Sequence, residues 1–336
     1  MSIQYHVLGA AGRDNALLVM VCTGQAVHRL LFDCGDGVMA PLPYAEIQRI
    51  DYLFFSHLHM DHVGGFDSYF RCTYNRTAKP NLIWGPARTG EIMHHRFRGF
   101  LWNLYQDKEA AWRVGDVLDD RVVWRSFELR EAFEYAYADE VEEFHGTLLN
   151  TPDFTVQAVQ LEHLTPVLGF VVRESPRLNI DVTRLADLGP RPGPWLQAVK
   201  SAPPEQTHLE VEGKTYALAE LRANLLRETP GDSIAYLTDF LPDETALEKL
   251  LPMLAGVKTL VCESAYREAE LELAQQNYHL TTRQAARLAA QAGVGKLVLM
   301  HISDRYPLEE WGELLGEARD VFPNTVFPAS WGIEVR

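Results

Sequence analysis

Tyr52-Leu53-Phe54-Phe55-Ser56-His57-Leu58-His59-Met60-Asp61-His62-Val63-Gly64-Gly65 is the stretch whose reading decides the fold. An apolar run of strand length ends abruptly in His57, His59, Asp61 and His62, and two glycines follow that allow the backbone a sharp turn. Imidazole nitrogens suit zinc and similar divalent ions, and the interleaved carboxylate can ligate, orient a bound water or take its proton. His57 and His59, two apart on an extended segment, point to one side, whereas Asp61 and His62 lie past the turn, within reach of a second ion. The plainer reading is a histidine-rich loop without ligands. It leaves unexplained why the cluster directly follows a buried-type strand and directly precedes Gly-Gly.

Around this stretch the bulk properties set limits. The 336 residues can form one large domain or two small ones, and 47% hydrophobic content supports a substantial core. No stretch approaches the ~20 apolar residues of a membrane span, and Met1-Ser2-Ile3-Gln4-Tyr5-His6 lacks the basic start and apolar core of a secretion signal. The expectation is a cytoplasmic protein with no membrane contact. Cys22, Cys34, Cys72 and Cys262 form no CxxC pair and sit mostly in apolar runs, so they read as buried thiols. A formal charge of −15 argues against broad, non-specific affinity for nucleic acid. Bound divalent cations would restore positive charge at the site itself.

Upstream, apolar stretches from Ala16 to Cys22 and from Val27 to Phe32, separated by Thr23-Gly24-Gln25, predict two strands joined by a turn. The second ends at Asp33, which either holds a ligand histidine by its other ring nitrogen or serves a plain turn. Downstream, Met93, Phe97, Phe100, Leu101 and Leu104 share one helical face and read as core, with His94 and His95 beside them as surface or structural residues. Phe154 to Leu161 alternates like a strand and runs into His163. The final third alternates strand and helix: Ser233 to Leu237 ends near Asp239, Lys258 to Cys262 at Glu263, and Lys296 to Met300 at His301. A helix bearing Ala285, Leu288, Ala289 and Ala292 is capped by Thr281 or Thr282 and stopped by Gly293. Polar residues that repeatedly follow strands should gather along one edge of the sheets, where α/β folds place their sites. Residues 173 to 231 differ in character, with Gly189-Pro190-Arg191-Pro192-Gly193-Pro194-Trp195 and Pro203-Pro204. They predict an excursion from a single domain, either an ordinary solvated insertion or a surface with some positive charge and Trp195 for stacking.

Ser56-His57-Leu58-His59-Met60-Asp61-His62 resembles the signature of metallo-β-lactamase-fold hydrolases. Further pieces resemble the ribonuclease Z branch, the tRNA 3′-end endonucleases: Leu31 to Gly37, Leu161-Glu162-His163, Leu237-Thr238-Asp239, Cys262 to Ala265, His279 to Ala285 and Leu299 to Tyr306. The resemblance implies a four-layer αβ/βα sandwich. It implies one metal on His57, His59 and His163, a second on Asp61, His62 and His301, and Asp239 bridging both. Zn2+ is the expected metal, with Mn2+ or Fe as alternatives. A hydroxide between the metals would attack phosphorus, with Asp61 orienting or deprotonating the water and His279, held by Glu263, protonating the leaving oxygen. Arg305 is a candidate phosphate contact or a structural salt bridge, and Gly193-Pro194-Trp195-Leu196 looks like part of the family's tRNA-gripping arm. A homodimer is implied as well.

The chain departs from the family pattern at Gly9-Ala10-Ala11-Gly12, at Phe66-Asp67-Ser68-Tyr69-Phe70 and at Thr238-Asp239-Phe240, and the arm carries little net basic charge. The substrate expected is precursor tRNA, with a small phosphodiester, ester or lactone as the alternative. An iron-binding redox or sulfur-handling relative and a non-catalytic binding module are the remaining readings.

Overall fold

Eight strands in chain order, from Ile3–Leu8 to Tyr137–Glu143, form the first sheet of the computed structural model, which describes residues 3–24, 26–104 and 108–333. Gln25, in the expected turn between the second and third strands, lies outside the described residues. The second sheet has seven strands in the order Thr325–Val326, Lys296–Met300, Thr259–Glu263, Ser233–Leu237, Pro166–Glu174, Phe154–Glu162, Thr147–Asn150.

The period-2 alternation of strands explains the layers. In Val27–Phe32, Leu30 and Phe32 face one core and Leu31 another; in Lys296–Met300, Val298 and Met300 face the core that holds Leu30, while Leu297 and Leu299 face a third. The shared core lies between the two sheets, and each sheet's other face is covered by helices. This is a four-layer αβ/βα sandwich. Strands buried on both faces read as continuous apolar runs, which is why Leu53-Phe54-Phe55 shows no polar alternation. Tyr137–Glu143, at the sheet's end, carries mostly exposed and charged residues, which blunt a free edge.

Residues Glu174–Gly231 form a second compact unit. It has one antiparallel pair formed by its two ends, Arg177–Ile180 with Leu226–Thr229, one hairpin, His208–Val211 with Lys214–Ala217, and helices Val182–Leu188, Trp195–Ser201 and Leu218–Leu225 around a small core of Leu185, Val199, Leu218, Leu221 and Leu225. Among the described residues no helix is long and apolar enough to cross a membrane.

One local expectation is corrected. The helix bearing Met93 and Phe97 spans only Thr89–Phe97, and Gly99 follows its cap. Phe100, Leu101 and Leu104 therefore lie beyond it, with Leu101 89% exposed, rather than on one buried face. Gly64 and Gly65 form the turn between the helices Met60–Val63 and Phe66–Thr73, both with right-handed backbone. Glycine is needed at 65 for closeness, because a Cβ there would sit 2.0 Å from the Gly35 carbonyl oxygen, and Gly65 N–H donates to Cys34 O at 2.8 Å. The loop after Phe32 is thereby pressed onto the histidine motif. Since the obstructing atom is backbone, Gly65→Ala is expected to cost about 3 kcal/mol or more, at or above the upper end for overpacking, and a denaturant melt of the variant measures it.

Candidate metal centre

Most of the candidate ligands lie just past a strand. Val27–Phe32 gives way to Asp33, Tyr52–Phe54 leads to His57 and His59, Phe154–Glu162 to His163, Ser233–Leu237 to Asp239, and Lys296–Met300 to His301. Asp33, Asp239 and His301 have φ of 60°, 46° and 54°. Non-glycine residues enter this left-handed region rarely, and strained backbone of this kind gathers at functional sites. Here it takes the side chain off the strand's in-and-out alternation. Asp61 and His62 come instead from the short helix Met60–Val63, with His59 at its N-cap.

The donors fall into two sets, each within 4.8 Å: His57, His59 and His163, and Asp61, His62, Asp239 and His301. Asp239 lies between the sets, with Oδ2 3.3 Å from His62 Nε2, 3.6 Å from His57 Nε2 and 4.0 Å from His163 Nε2. Asp61 Oδ2 stands 3.2 Å from His62 Nε2 and 3.3 Å from His301 Nε2.

Behind the donors, a layer of hydrogen bonds sets the histidine tautomers. Fully buried Asp33 accepts from Ser56 N at 2.6 Å, from Ser56 Oγ at 2.6 Å, from His62 Nδ1 at 2.9 Å and from Tyr236 Oη at 2.8 Å. Ser56 Oγ, its proton given to Asp33, accepts from His57 Nδ1 at 3.1 Å. His163 Nδ1 donates to Tyr278 O at 2.8 Å. In all three rings Nδ1 is engaged and Nε2 presents its lone pair, the arrangement in which histidines bind metals. Buried His62 Nε2 has no hydrogen-bond partner. A buried, unsatisfied acceptor facing two carboxylates fits a divalent ion, and histidine with carboxylate is the donor chemistry such ions take.

The electrostatics agree. Burial pushes the His57 imidazole down to about 2, so that it stays neutral, and burial also lowers His163. Burial would raise Asp61 and Asp239, but the imidazoles around them hold both well below the usual carboxylate range. His62 and His301 move the other way: burial works against their charge, yet the neighbouring carboxylates keep both raised. Four carboxylates converging here, Asp33, Asp61, Asp239 and Glu263, call for positive charge.

Next to these sets, Glu263 Oε1 accepts from Phe240 N at 3.1 Å and Oε2 from His279 Nδ1 at 3.0 Å. Burial would lower His279, but the charge and hydrogen bond of Glu263 prevail and raise it to about 9. His279 therefore carries a proton, with Nε2 left for a substrate. Asp239, Glu263, His279 and His301 also lie within ligand range of one another, but Glu263 has both oxygens engaged. A cavity of about 300 Å³ lined by Asp61, His279, His301, Arg13 and Asp14 opens over the site, and a groove of about 910 Å³ shares Arg13 and Asp14 with it.

Two candidates are occupied elsewhere. Arg305 pairs with Glu270 at 2.8 Å and lies over the Tyr266 ring at 4.9 Å. Trp195 packs on the core of the second unit and donates from Nε1 to Arg191 O at 3.0 Å. Asp33, open between two readings in the sequence, contacts His62 directly. Tyr236 was missed, because a tyrosine inside an apolar strand carries no local mark that separates a hydroxyl with a task from ordinary core.

This sandwich with its strand-end site defines a class. Over 97% of the chain the fold matches 96% of the metallo-β-lactamase-fold protein YhfI from Bacillus subtilis at a TM-score of 0.57 and 14% identity, and over 91% it matches 94% of the short form of human tRNase Z at 0.50 and 18%. The sequence is 47% identical to a ribonuclease Z of Deinococcus radiodurans across 97% of both chains, and residues 12–181 match the family model described as Anti-Pycsar protein Apyc1. The chain belongs to the ribonuclease Z family and, by a match covering half its length, to the family of the Apyc1 model.

Proposed function

We propose that the chain is a zinc-dependent endoribonuclease that cuts precursor tRNA at its 3′ trailer, as a cytoplasmic homodimer. The observation that carries this reading is a protonated His279, clamped by Glu263, beside two sets of metal donors. The near relative named ribonuclease Z supports the substrate, and the four free cysteines suit a reducing compartment.

One ion would be held by His57, His59 and His163, and a second by Asp61, His62 and His301, with Asp239 touching both. When bound, such ions supply Lewis-acid stabilisation of phosphoryl oxygens and lower the pKa of water. Asp61, its side chain 43% exposed, orients the attacking water and accepts its proton. His279 delivers its Nε2 proton to the leaving oxygen, and Glu263 stabilises the imidazolium before transfer. Arg305 contacts a phosphate by exchanging the carboxylate of Glu270, and Trp195, half-buried, is the stacking candidate for RNA.

A second reading, hydrolysis of a small phosphodiester, ester or lactone, draws on the arm itself. Arg177 pairs with Glu174, and Arg184 and Arg227 pair with Asp181, while Arg222 donates to the carbonyls of Val199 and Ala202. Few of its cations are left for phosphates. The experiment that separates the readings removes residues 175–230. The ends of the unit meet, since a Cβ on Gly231 would lie 2.1 Å from Glu174 O, so a short Gly-Ser linker can close the gap. Cleavage of a precursor with a 3′ trailer is expected to fall about 10–100-fold in kcat/KM, the weight of roughly 1.4–2.8 kcal/mol of lost binding, while a chromogenic phosphodiester is hydrolysed as before. Equal loss on both substrates would remove the case for an arm that serves RNA.

A further inference from the structure

We infer that Tyr236 is a positioning residue that holds the His62 donor set together by tying the two sheets at Asp33. The inference rests on the metal reading above.

Tyr236 lies on Ser233–Leu237 of the second sheet, whereas Asp33 follows Val27–Phe32 of the first. The Tyr236 hydroxyl donates to Asp33 Oδ2 at 2.8 Å, 203 residues away, with the tyrosine 1% and the aspartate 0% exposed. The same Oδ2 accepts His62 Nδ1 at 2.9 Å, and His62 Nε2 stands 3.3 Å from Asp239 Oδ2. Asp239 is three residues beyond Tyr236 on the same chain segment. Tyr236, Asp33, His62 and Asp239 thus form a closed ring: three non-covalent links and one short stretch of backbone. Its effect is to couple the spacing between the His62 ring and the Asp239 carboxylate to the spacing between the sheets.

Apolar packing between sheets is non-directional and leaves such a spacing soft, whereas a hydrogen bond to a buried carboxylate is strong and directional. The hydroxyl donates to the same Asp33 oxygen that accepts His62 Nδ1, so it fixes the place of that oxygen and with it the orientation of the His62 ring. The His57 set is tied to Asp33 less directly, through Ser56 Oγ, and Ser56 O has its own link to the second sheet in the Leu168 N–H at 2.8 Å.

Tyr236→Phe removes one oxygen and keeps the ring against Phe32, whose centroid is 6.0 Å away. The test is chelator competition on the parent and variant loaded with Zn2+, with melts of both metal-free proteins. The parent is expected to hold two ions. In the variant one ion should be held more weakly by up to about 10-fold, the low end of the range for losing a metal-bound histidine's own partner, because Asp33 itself stays, and the other should change less. An unchanged affinity for both ions, with or without a lowered metal-free melting point, would show a merely structural hydroxyl and overturn the inference. Equal weakening of both ions would overturn the ring. A parent that binds no metal would instead sink the metal reading on which the inference stands.

Discussion

His62→Ala is expected to abolish hydrolysis of a chromogenic phosphodiester and to lower bound metal from about two equivalents to about one. His62 is the buried imidazole of its donor set, anchored through Nδ1 by Asp33 and left with an unsatisfied buried Nε2. Asp61, Asp239 and His301 would remain, but two carboxylates without the intervening imidazole repel each other and lose the geometry that His62 Nε2 sets at 3.2 and 3.3 Å. Losing a partner behind a ligand costs about 10–100-fold. Losing the ligand itself should cost more, about a thousandfold or greater in kcat. Metal content by elemental analysis and turnover on one preparation check both halves, and full activity in the variant would sink the two-ion scheme.

His279→Ala is expected to give a different signature, loss of rate without loss of metal. General acid catalysis contributes about 10²–10⁴-fold, and that contribution applies when the leaving oxygen needs a proton. A ribose alkoxide needs one, whereas a nitrophenolate leaves unaided. The variant should therefore lose about 10²–10⁴-fold in kcat on precursor tRNA, much less on a p-nitrophenyl diester, and keep two equivalents of metal. Glu263→Gln should follow the same pattern more mildly, because it keeps a hydrogen-bonding partner for His279 but removes the charge that raises its proton affinity. A uniform loss across leaving groups would argue that His279 holds structure or metal instead.

The extent to which all this was legible in the chain differs by element. The apolar runs that become buried strands were plain, because a strand buried on both faces leaves an unbroken hydrophobic signature. So was the capped helix after His279: Thr281 accepts from Gln284 N, Gln284 reaches back, and Gly293 ends the helix at φ 63°. Gly64-Gly65 reads as a turn and is one, but glycine also marks close approach, and only the position of Gly35 reveals that second need. The helix Trp195–Ser201 went unseen behind Gly193-Pro194, punctuation that reads as loop from either side. The buried stripe was drawn too long because periodicity carries past a helix end when apolar residues happen to follow it.

The sequence by itself determined the kind of chemistry: histidines and carboxylates placed one after another at the ends of apolar strands, a pattern written in local order and in the period of the strand. The tertiary structure decided which of them meet and in what state. His163 finds its tautomer in the carbonyl of Tyr278, 115 residues away, Asp33 finds Tyr236 across 203, and Asp61 finds His301 across 240. Contacts at such separations depend on how two sheets pack face to face and on left-handed residues at strand ends, and no local pattern of residues encodes either.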